Sequence, residues 1–190
     1  MDVTRVPVAT PTRGPGGRTN AYVLGSDPAV LVDPAARTDD LDAAVADATV
    51  EHVLVTHHHP DHVGAVGHYA DATDATVWAR QGRTEAFVAA TGVTPDRTLG
   101  EGTTMETTTG TVTVRETPGH APEHIALTWD GGAAVGDVAV AEGSLVVGAP
   151  DGDMRAYLTS LRRLHAREFD TLYPGHGPLV EDSRATLERL

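Results

Sequence analysis

The segment Thr56-His57-His58-His59-Pro60-Asp61-His62, set directly behind the apolar run Val53 to Val55, constrains this chain more than any other feature. An apolar run bounded in this way reads as a buried strand, and its end fixes where the following loop begins. Residues two apart in an extended segment point the same way, so His57 and His59 can face one metal ion. Pro60 suits the first position of a helical turn, which leaves Asp61 and His62 near a helix N-terminus, where the dipole favours an ionised carboxylate. Those two can serve a second ion. A lone H-x-H is ordinarily a surface accident, but the full H-x-H-x-D-H behind a strand points to metal.

Three later segments share the form of a strand running into a turn that presents one ligand: "TPGH" at His120, "VGD" at Asp137 and "YPGH" at His176. Gly119, Gly136 and Gly175 precede them, and a residue without a side chain lets the backbone turn sharply and approach closely. Each segment alone is weak. Together with the first cluster they complete a set of seven ligands, five imidazoles and two carboxylates. Sharing these between two tetrahedral ions requires a bridging carboxylate, for which Asp137 is the remaining candidate, and a bridging water or hydroxide.

Composition narrows the metal chemistry. There is no cysteine, which excludes disulfides, thiolate nucleophiles and cysteine-ligated zinc or iron-sulfur sites. All 14 basic residues are arginine, against 27 acidic ones, for a formal net charge of −13. A GC-rich coding bias accounts for missing lysine but not for the acid excess, so a salt-adapted, halophilic source is expected, because salt screens the self-repulsion of such a surface. At low salt the same charge opposes nucleic-acid binding. With 190 residues, 40% of them hydrophobic, one domain over 1–190 is expected. No apolar run approaches a membrane span, and Met1 to Gly17 lacks an apolar signal core, so a cytoplasmic location without membrane contact is the expectation.

Strand signals fall at Val3–Ala9, Asn20–Gly25 and Ala29–Asp33, as an antiparallel meander, with a loop over Thr10–Arg18. Thr38–Ala48 has helical periodicity, Val50–Thr56 reads as a strand, and helices follow at Val63–Ala70 and Arg83–Ala90 around a strand at Thr76–Ala79. The second half repeats the order, with strands at Thr103–Glu106, Thr111–Glu116, Ile125–Trp129 and Ala133–Gly136. A helix over Asp153–Glu168, a strand at Thr171–Tyr173 and a last helix complete it. Two strand groups, each followed by helices, predict an α/β protein with two sheets packed face to face and helices outside.

From Thr19 onward the ordered motifs make the chain resemble the metallo-β-lactamase superfamily. The resemblance implies a four-layer αβ/βα sandwich of two mixed β-sheets flanked by helices, with the site at the edge between the sheets. By that similarity His57, His59 and His120 hold the first ion, Asp61, His62 and His176 the second, and Asp137 bridges. The superfamily's zinc β-lactamases carry a Cys near the Asp137 position, which this chain lacks, so β-lactam hydrolysis is not the expected activity. The 39 residues from Asp137 to His176 leave no room for the inserted domain of the messenger-RNA-processing nucleases. Only 14 residues follow His176, too few for the glutathione-gripping helices of glyoxalase II. The stretches "TNAYVLG", "TPGHAPEHIAL", "DMRAYLTSLRRL" and "YPGHGPLVED" are similar to the small-hydrolase branch of glyoxalase-II-like proteins and lactamase-β-like endoribonucleases.

The expected function is metal-dependent hydrolysis at two divalent ions, zinc in the first place with iron or manganese also compatible. The ions activate a bridging hydroxide against a small ester, thioester or lactone, and Asp61 orients it and takes up its proton. Two doubly charged ions set against two carboxylates and a hydroxide leave the site positive, which suits an anionic small-molecule substrate. The alternatives are an endoribonuclease or other phosphodiesterase on the same apparatus, and a mononuclear-iron persulfide dioxygenase. His58, between two ligands, is expected to point away toward solvent or the pocket rim, and His124 to orient a neighbour or fill a structural role. Trp78, Trp129 and Phe87 are expected in the core, and Arg162, Arg163 and Arg167 in solvated ion pairs with Glu168 and Asp170.

Overall fold

The computed structural model describes residues 1–12 and 14–190; Arg13, within the loop expected at Thr10–Arg18, lies outside the described residues. Strands β1 (Val3–Ala9), β2 (Arg18–Gly25) and β3 (Ala29–Val32) form the expected antiparallel meander. Strands β4 (Val50–Leu54), β5 (Thr76–Arg80) and β6 (Arg97–Leu99) then add in parallel, giving a six-stranded mixed sheet in the order β1-β2-β3-β4-β5-β6. Strands β7 (Thr104–Thr107), β8 (Gly110–Glu116), β9 (Ile125–Trp129) and β10 (Gly132–Gly136) pair antiparallel. Parallel β11 (Thr171–Pro174) completes a five-stranded sheet in the order β11-β10-β9-β8-β7.

The four layers follow from the two-residue period of the buried strands. In β3, Ala29 and Leu31 join a core under the helices α1 (Asp39–Ala46), α3 (Val66–Thr73) and α4 (Thr84–Thr91), while Val30 and Val32 face the other sheet. In β9, Ile125 and Leu127 meet Val30 and Val32 between the sheets. Ala126 faces outward to Tyr157, Leu161 and Leu164 of α5 (Met154–His165) and to Leu187 of α6 (Ser183–Arg189). Buried on both faces, these strands read as unbroken apolar runs. The fold class is therefore the one expected, with α/β layering and two mixed sheets inside.

Helix ends are set by local chemistry. Thr38 caps α1 by accepting from Leu41 N at 3.2 Å, and Asp153 caps α5 by accepting from Arg155 N and Ala156 N at 2.8 and 3.1 Å. The helix expected at Val63–Ala70 is divided: Pro60 starts a one-turn α2 (Pro60–Val63), and α3 begins only at Val66. The break occurs because Ala65 N donates to Pro34 O at 2.8 Å, while Gly64 packs against Ala35 O with no space for a Cβ. The short β6 has no counterpart among the expected strands. Phe87 is in the core, and Trp78 and Trp129 are partly buried against it. Arg163 does not pair with Glu168 or Asp170; it reaches Glu101 at 2.9 Å and Glu116 O at 3.0 Å, while Arg162 and Arg167 are exposed. Among the described residues no helix is long and apolar enough to cross a membrane.

Candidate metal centre

Strand ends from both sheets meet at one edge of the sandwich. Sheet one supplies His57 and His59 from the loop after β4, and Asp61 and His62 from α2. Sheet two supplies His120 from the β8–β9 turn, Asp137 from the end of β10 and His176 from the end of β11. Three groups of ligand atoms, each mutually within 4.8 Å, include all seven residues: His57, His59 and His120; His57, His62 and Asp137; and Asp61, His62 and His176. Asp137 joins the two outer groups, with Oδ2 at 3.5 Å from His120 Nε2 and 3.4 Å from His176 Nε2, and Oδ1 at 3.6 Å from His62 Nε2.

The hydrogen bonds on the far side of each ring decide what faces inward. His62 Nδ1 donates to Asp33 Oδ2 at 2.9 Å, His120 Nδ1 to Val146 O at 2.8 Å, and His176 Nδ1 to Arg18 O at 2.8 Å. Thr56 Oγ1 gives its proton to Asp33 Oδ2 at 2.8 Å, so it can only accept from His57 Nδ1, which lies 3.0 Å away. With Nδ1 as donor, the neutral ring turns the Nε2 lone pair inward. His59 presents Nδ1 instead, 3.0 Å from the Nε2 atoms of both His57 and His120, and His62 Nε2 lies 3.3 Å from His176 Nε2. Lone pairs at these distances repel unless a positive charge stands among them. Asp137 Oδ1, buried with no hydrogen-bond partner, faces the same space. Two divalent cations fit this donor set, three nitrogens on one side, two nitrogens and a carboxylate on the other, and Asp137 between.

The electrostatics agree. Burial opposes a charge on His62, but Asp33 and Asp137 outweigh it and push this residue up to about 9, so the cluster draws positive charge toward this ring. Burial, with His62 and the other rings, drives His57 well below its ordinary value. Burial also opposes ionisation of Asp137, yet His62, His176 and His120 hold its carboxyl well below the usual range.

Three residues that local motif reading passes over, or leaves without a settled role, hold this set in place. Asp33 is buried at the end of β3, with φ +50°, and accepts from Thr56 N at 2.6 Å as well as from Thr56 Oγ1 and His62. Its available signal was its place just past a strand end, the form shared by His57, Asp137 and His176. Thr56 carries the Asp33 contact on to His57. His124 accepts from Asp137 N at 3.0 Å through Nε2, so its Nδ1 donates to Thr117 Oγ1 at 2.8 Å; burial, then His120, lower it to about 3. It is a neutral ring orienting Asp137 through the backbone. His58 does turn away from the cluster, but toward the interior and not toward solvent, against Phe87 at 5.5 Å and Glu123.

Glycine is required where ligand-bearing turns touch. At Gly136, φ is +47° and a Cβ would meet Thr56 and His124; at Gly175 a Cβ would fall 2.5 Å from Asp137 Oδ1 and 2.8 Å from His62 Cε1. Above the cluster lies a cleft of about 370 Å³, with His59, Asp61, His120, Asp137 and His176 on its floor. Pro11, Pro60, Leu145 and Val146 form its apolar walls, and Thr12 and Ser144 add hydroxyls.

The model of the metallo-beta-lactamase superfamily matches residues 14–176. This chain is similar to the lactamase-like protein vrtG of Penicillium aethiopicum, at 30% identity over 182 residues covering 90% of this chain and 55% of that protein. It is similar to thioesterase pkgB of Emericella nidulans at 26% identity over 183 residues, covering 90% and 49%. The chain thus spans about half the length of these curated relatives. Among solved structures it is similar to TTHA1623 in a di-iron-bound form, with a TM-score of 0.71, 30% identity and coverage of 96% of this chain and 95% of that one. Two mixed sheets between helices, a His and Asp cluster gathered from their strand ends, and a family match over 14–176 agree: the chain belongs to the metallo-beta-lactamase superfamily.

Proposed function

We propose that this chain is a metal-dependent hydrolase of small esters, thioesters or lactones, using two divalent ions, zinc in the first place. The reading rests on the inward-facing lone pairs of five imidazoles, four of them fixed by hydrogen bonds on the opposite nitrogen. His57, His59 and His120 would hold one ion, Asp61, His62 and His176 the other, and Asp137 both. When bound, such ions lower the pKa of a shared water toward ~7 and stabilise the negative charge that develops on an acyl oxygen.

The protein's own contribution is orientation and proton handling. Asp61 is the more exposed of the two carboxylates, at 18% against 7% for Asp137, and it opens into the cleft. It is the group placed to orient the nucleophile and take up its proton at a carboxylate oxygen. Asp137, tied through its backbone to His124 and flanked by three rings, is committed to holding charge. The apolar walls suit an acyl group, which gains by leaving water, whereas a long polymer needs extended contacts. The similarity to a protein named as a thioesterase supports acyl chemistry, and the similarity to a di-iron form keeps iron as an alternative metal.

The test pairs elemental analysis of protein purified without added metal with hydrolysis of a thioester and lactone panel, single-stranded RNA alongside, and Asp61→Ala as the control. Two ions per chain and acyl hydrolysis lost in the variant support the reading. RNA cleavage lost in the variant, with no acyl hydrolysis above it, overturns it in favour of a phosphodiesterase. The acid excess further supports a halophilic source.

A further inference from the structure

A second cleft of about 200 Å³ lies behind the candidate centre, on the inner face of the β1–β2 ribbon, and it contains two arginines. In the antiparallel register Arg5 stands opposite Tyr22, Pro7 opposite Asn20 and Ala9 opposite Arg18, so Arg5 and Arg18 leave the same face of the ribbon. Both reach toward the Pro7–Asn20 row between them. Arg18 Nη1 donates to Pro7 O at 3.3 Å, and Arg5 Nη1 donates to Gly177 O at 3.1 Å, the carbonyl that also accepts from Asn20 Nδ2 at 2.9 Å. Each guanidinium spends one N–H on a neutral carbonyl and keeps the rest of its five donors.

Neither guanidinium has a carboxylate within ion-pair distance among the described residues, in a chain with 27 acidic groups and 14 arginines. Two cations on one face of the ribbon, without a counter-ion, favour an anion between them. Guanidinium forks match phosphate oxygens, and heads already anchored to carbonyls lose less freedom on binding. The cleft neighbours the candidate centre along the chain. Gly14 and His176 line the metal cleft, Pro15 and Gly177 line this one, and the peptide links between them form the ridge.

We infer that Arg5 and Arg18 bind the phosphate of a phosphorylated acyl thioester, whose pantetheine-like arm crosses the Gly14–Pro15 ridge to bring the thioester to the metal cleft. This rests on the proposed acyl hydrolysis, in which water cleaves the C–S bond to give a carboxylate and a thiol. The cleft favours this small ligand over RNA: it holds about one phosphate group, and among the described residues no aromatic ring lines it for a base to stack on.

The test uses the metal-loaded full chain in about 0.15 M salt, where a surface anion site is not fully screened. The probes are S-methyl-4′-phosphopantetheine and S-methyl-pantetheine, thioethers that cannot be hydrolysed and carry no free thiol for the metal. Calorimetry should show the phosphorylated probe bound about tenfold or more tightly. Arg5→Ala/Arg18→Ala should erase that preference and leave the unphosphorylated probe unchanged, while Arg5→Lys/Arg18→Lys keeps part of it. A preference below twofold in the wild type, or one that survives in the alanine variant, overturns the inference. So does a single-stranded oligouridylate that binds through these arginines more tightly than the phosphorylated probe. Binding is read without turnover, so acyl-pantetheine hydrolysis, assayed separately, shows whether the functional reading itself fails.

Discussion

Replacing Asp33 by Asn tests the hydrogen-bond logic of the centre at one atom. The position has φ +50°, a conformation Asn tolerates better than most residues, so the backbone stays in place and the change is confined to one carboxylate oxygen. If the Asn oxygen keeps the 2.6 Å contact from Thr56 N, its NH₂ group replaces Oδ2, which accepts from Thr56 Oγ1 at 2.8 Å and His62 Nδ1 at 2.9 Å. Two donors then face a donor. The Thr56 hydroxyl can rotate and accept, but His62 has to move its proton to Nε2, which removes its inward lone pair. Each lost hydrogen bond to a charged group is worth about 1.5–3 kcal/mol, so the metal-free protein should lose about 3 kcal/mol and melt well below the wild type. Loss of an outer partner of a ligating histidine typically weakens a metal by about 10- to 100-fold. Competition against a chromophoric chelator resolves the two binding steps. The ion on the His62 side should weaken by that factor, and the ion on the His57 side by less, because Thr56 still accepts from His57. Two dissociation constants within twofold of the wild type would show that Asp33 does not set the tautomer of His62, and the reasoning would fail.

Gly175→Ala places a methyl group 2.5 Å from Asp137 Oδ1 and 2.8 Å from His62 Cε1, so metal content per chain should drop while the rest of the fold persists; full metal occupancy would contradict this. His124→Phe keeps the ring but leaves Asp137 N–H buried without an acceptor, at a cost of about 1–3 kcal/mol in chemical denaturation, whereas His124→Gln should recover part of it. Glu101 receives Glu116 N at 2.7 Å, Arg115 Nη1 at 3.3 Å and Arg163 Nη2 at 2.9 Å; burial opposes its ionisation, but these donors win and hold it below its ordinary value. With the folded pKa depressed, its contribution is present above the unfolded value and lost as pH falls through the folded one. Glu101→Gln should therefore lower Tm near pH 7, by under about 1 kcal/mol since the carboxylate is 37% exposed, and match the wild type in strong acid. Dilution from molar to about 0.1 M salt should lower Tm through self-repulsion at a net charge of −13; a flat profile would separate the acid excess from salt adaptation.

The fold was legible wherever strands are buried on both faces, because an apolar run between turn residues has few other uses. Ile125–Trp129, buried on both faces, was read to its ends; the edge strand Val3–Ala9, with only Val6 and Val8 buried, was also read to its ends through its β-branched run. The three-residue β6 was missed because Arg97 and Thr98 are exposed and only Leu99 is buried, too little pattern to separate from a loop. The division between α2 and α3 was missed because its cause, Ala65 N bonded to Pro34 O, lies about thirty residues back in the chain. The site divides in the same way. Its seven inward-facing residues announce themselves by spacing within short segments, whereas Asp33 and Thr117 matter only through partners 29 and 7 residues away, His62 and His124. The pair Arg5 and Arg18 is invisible until strand register places both on one face.

The gathering of strand ends from both sheets has a mechanical consequence. An ion gripped by Asp61, His62 and His176 would join points up to 115 positions apart along the chain, and so act as a removable cross-link that adds to the apolar layer and the hydrogen bonds already joining the two sheets. Closing a loop of that length restricts the denatured chain by on the order of 4 kcal/mol in entropy, comparable to a disulfide, in a protein that has no cysteine with which to make one. Stripping the ions should therefore do more than silence chemistry: the two sheets lose a clasp, and the melting temperature of the whole sandwich should fall.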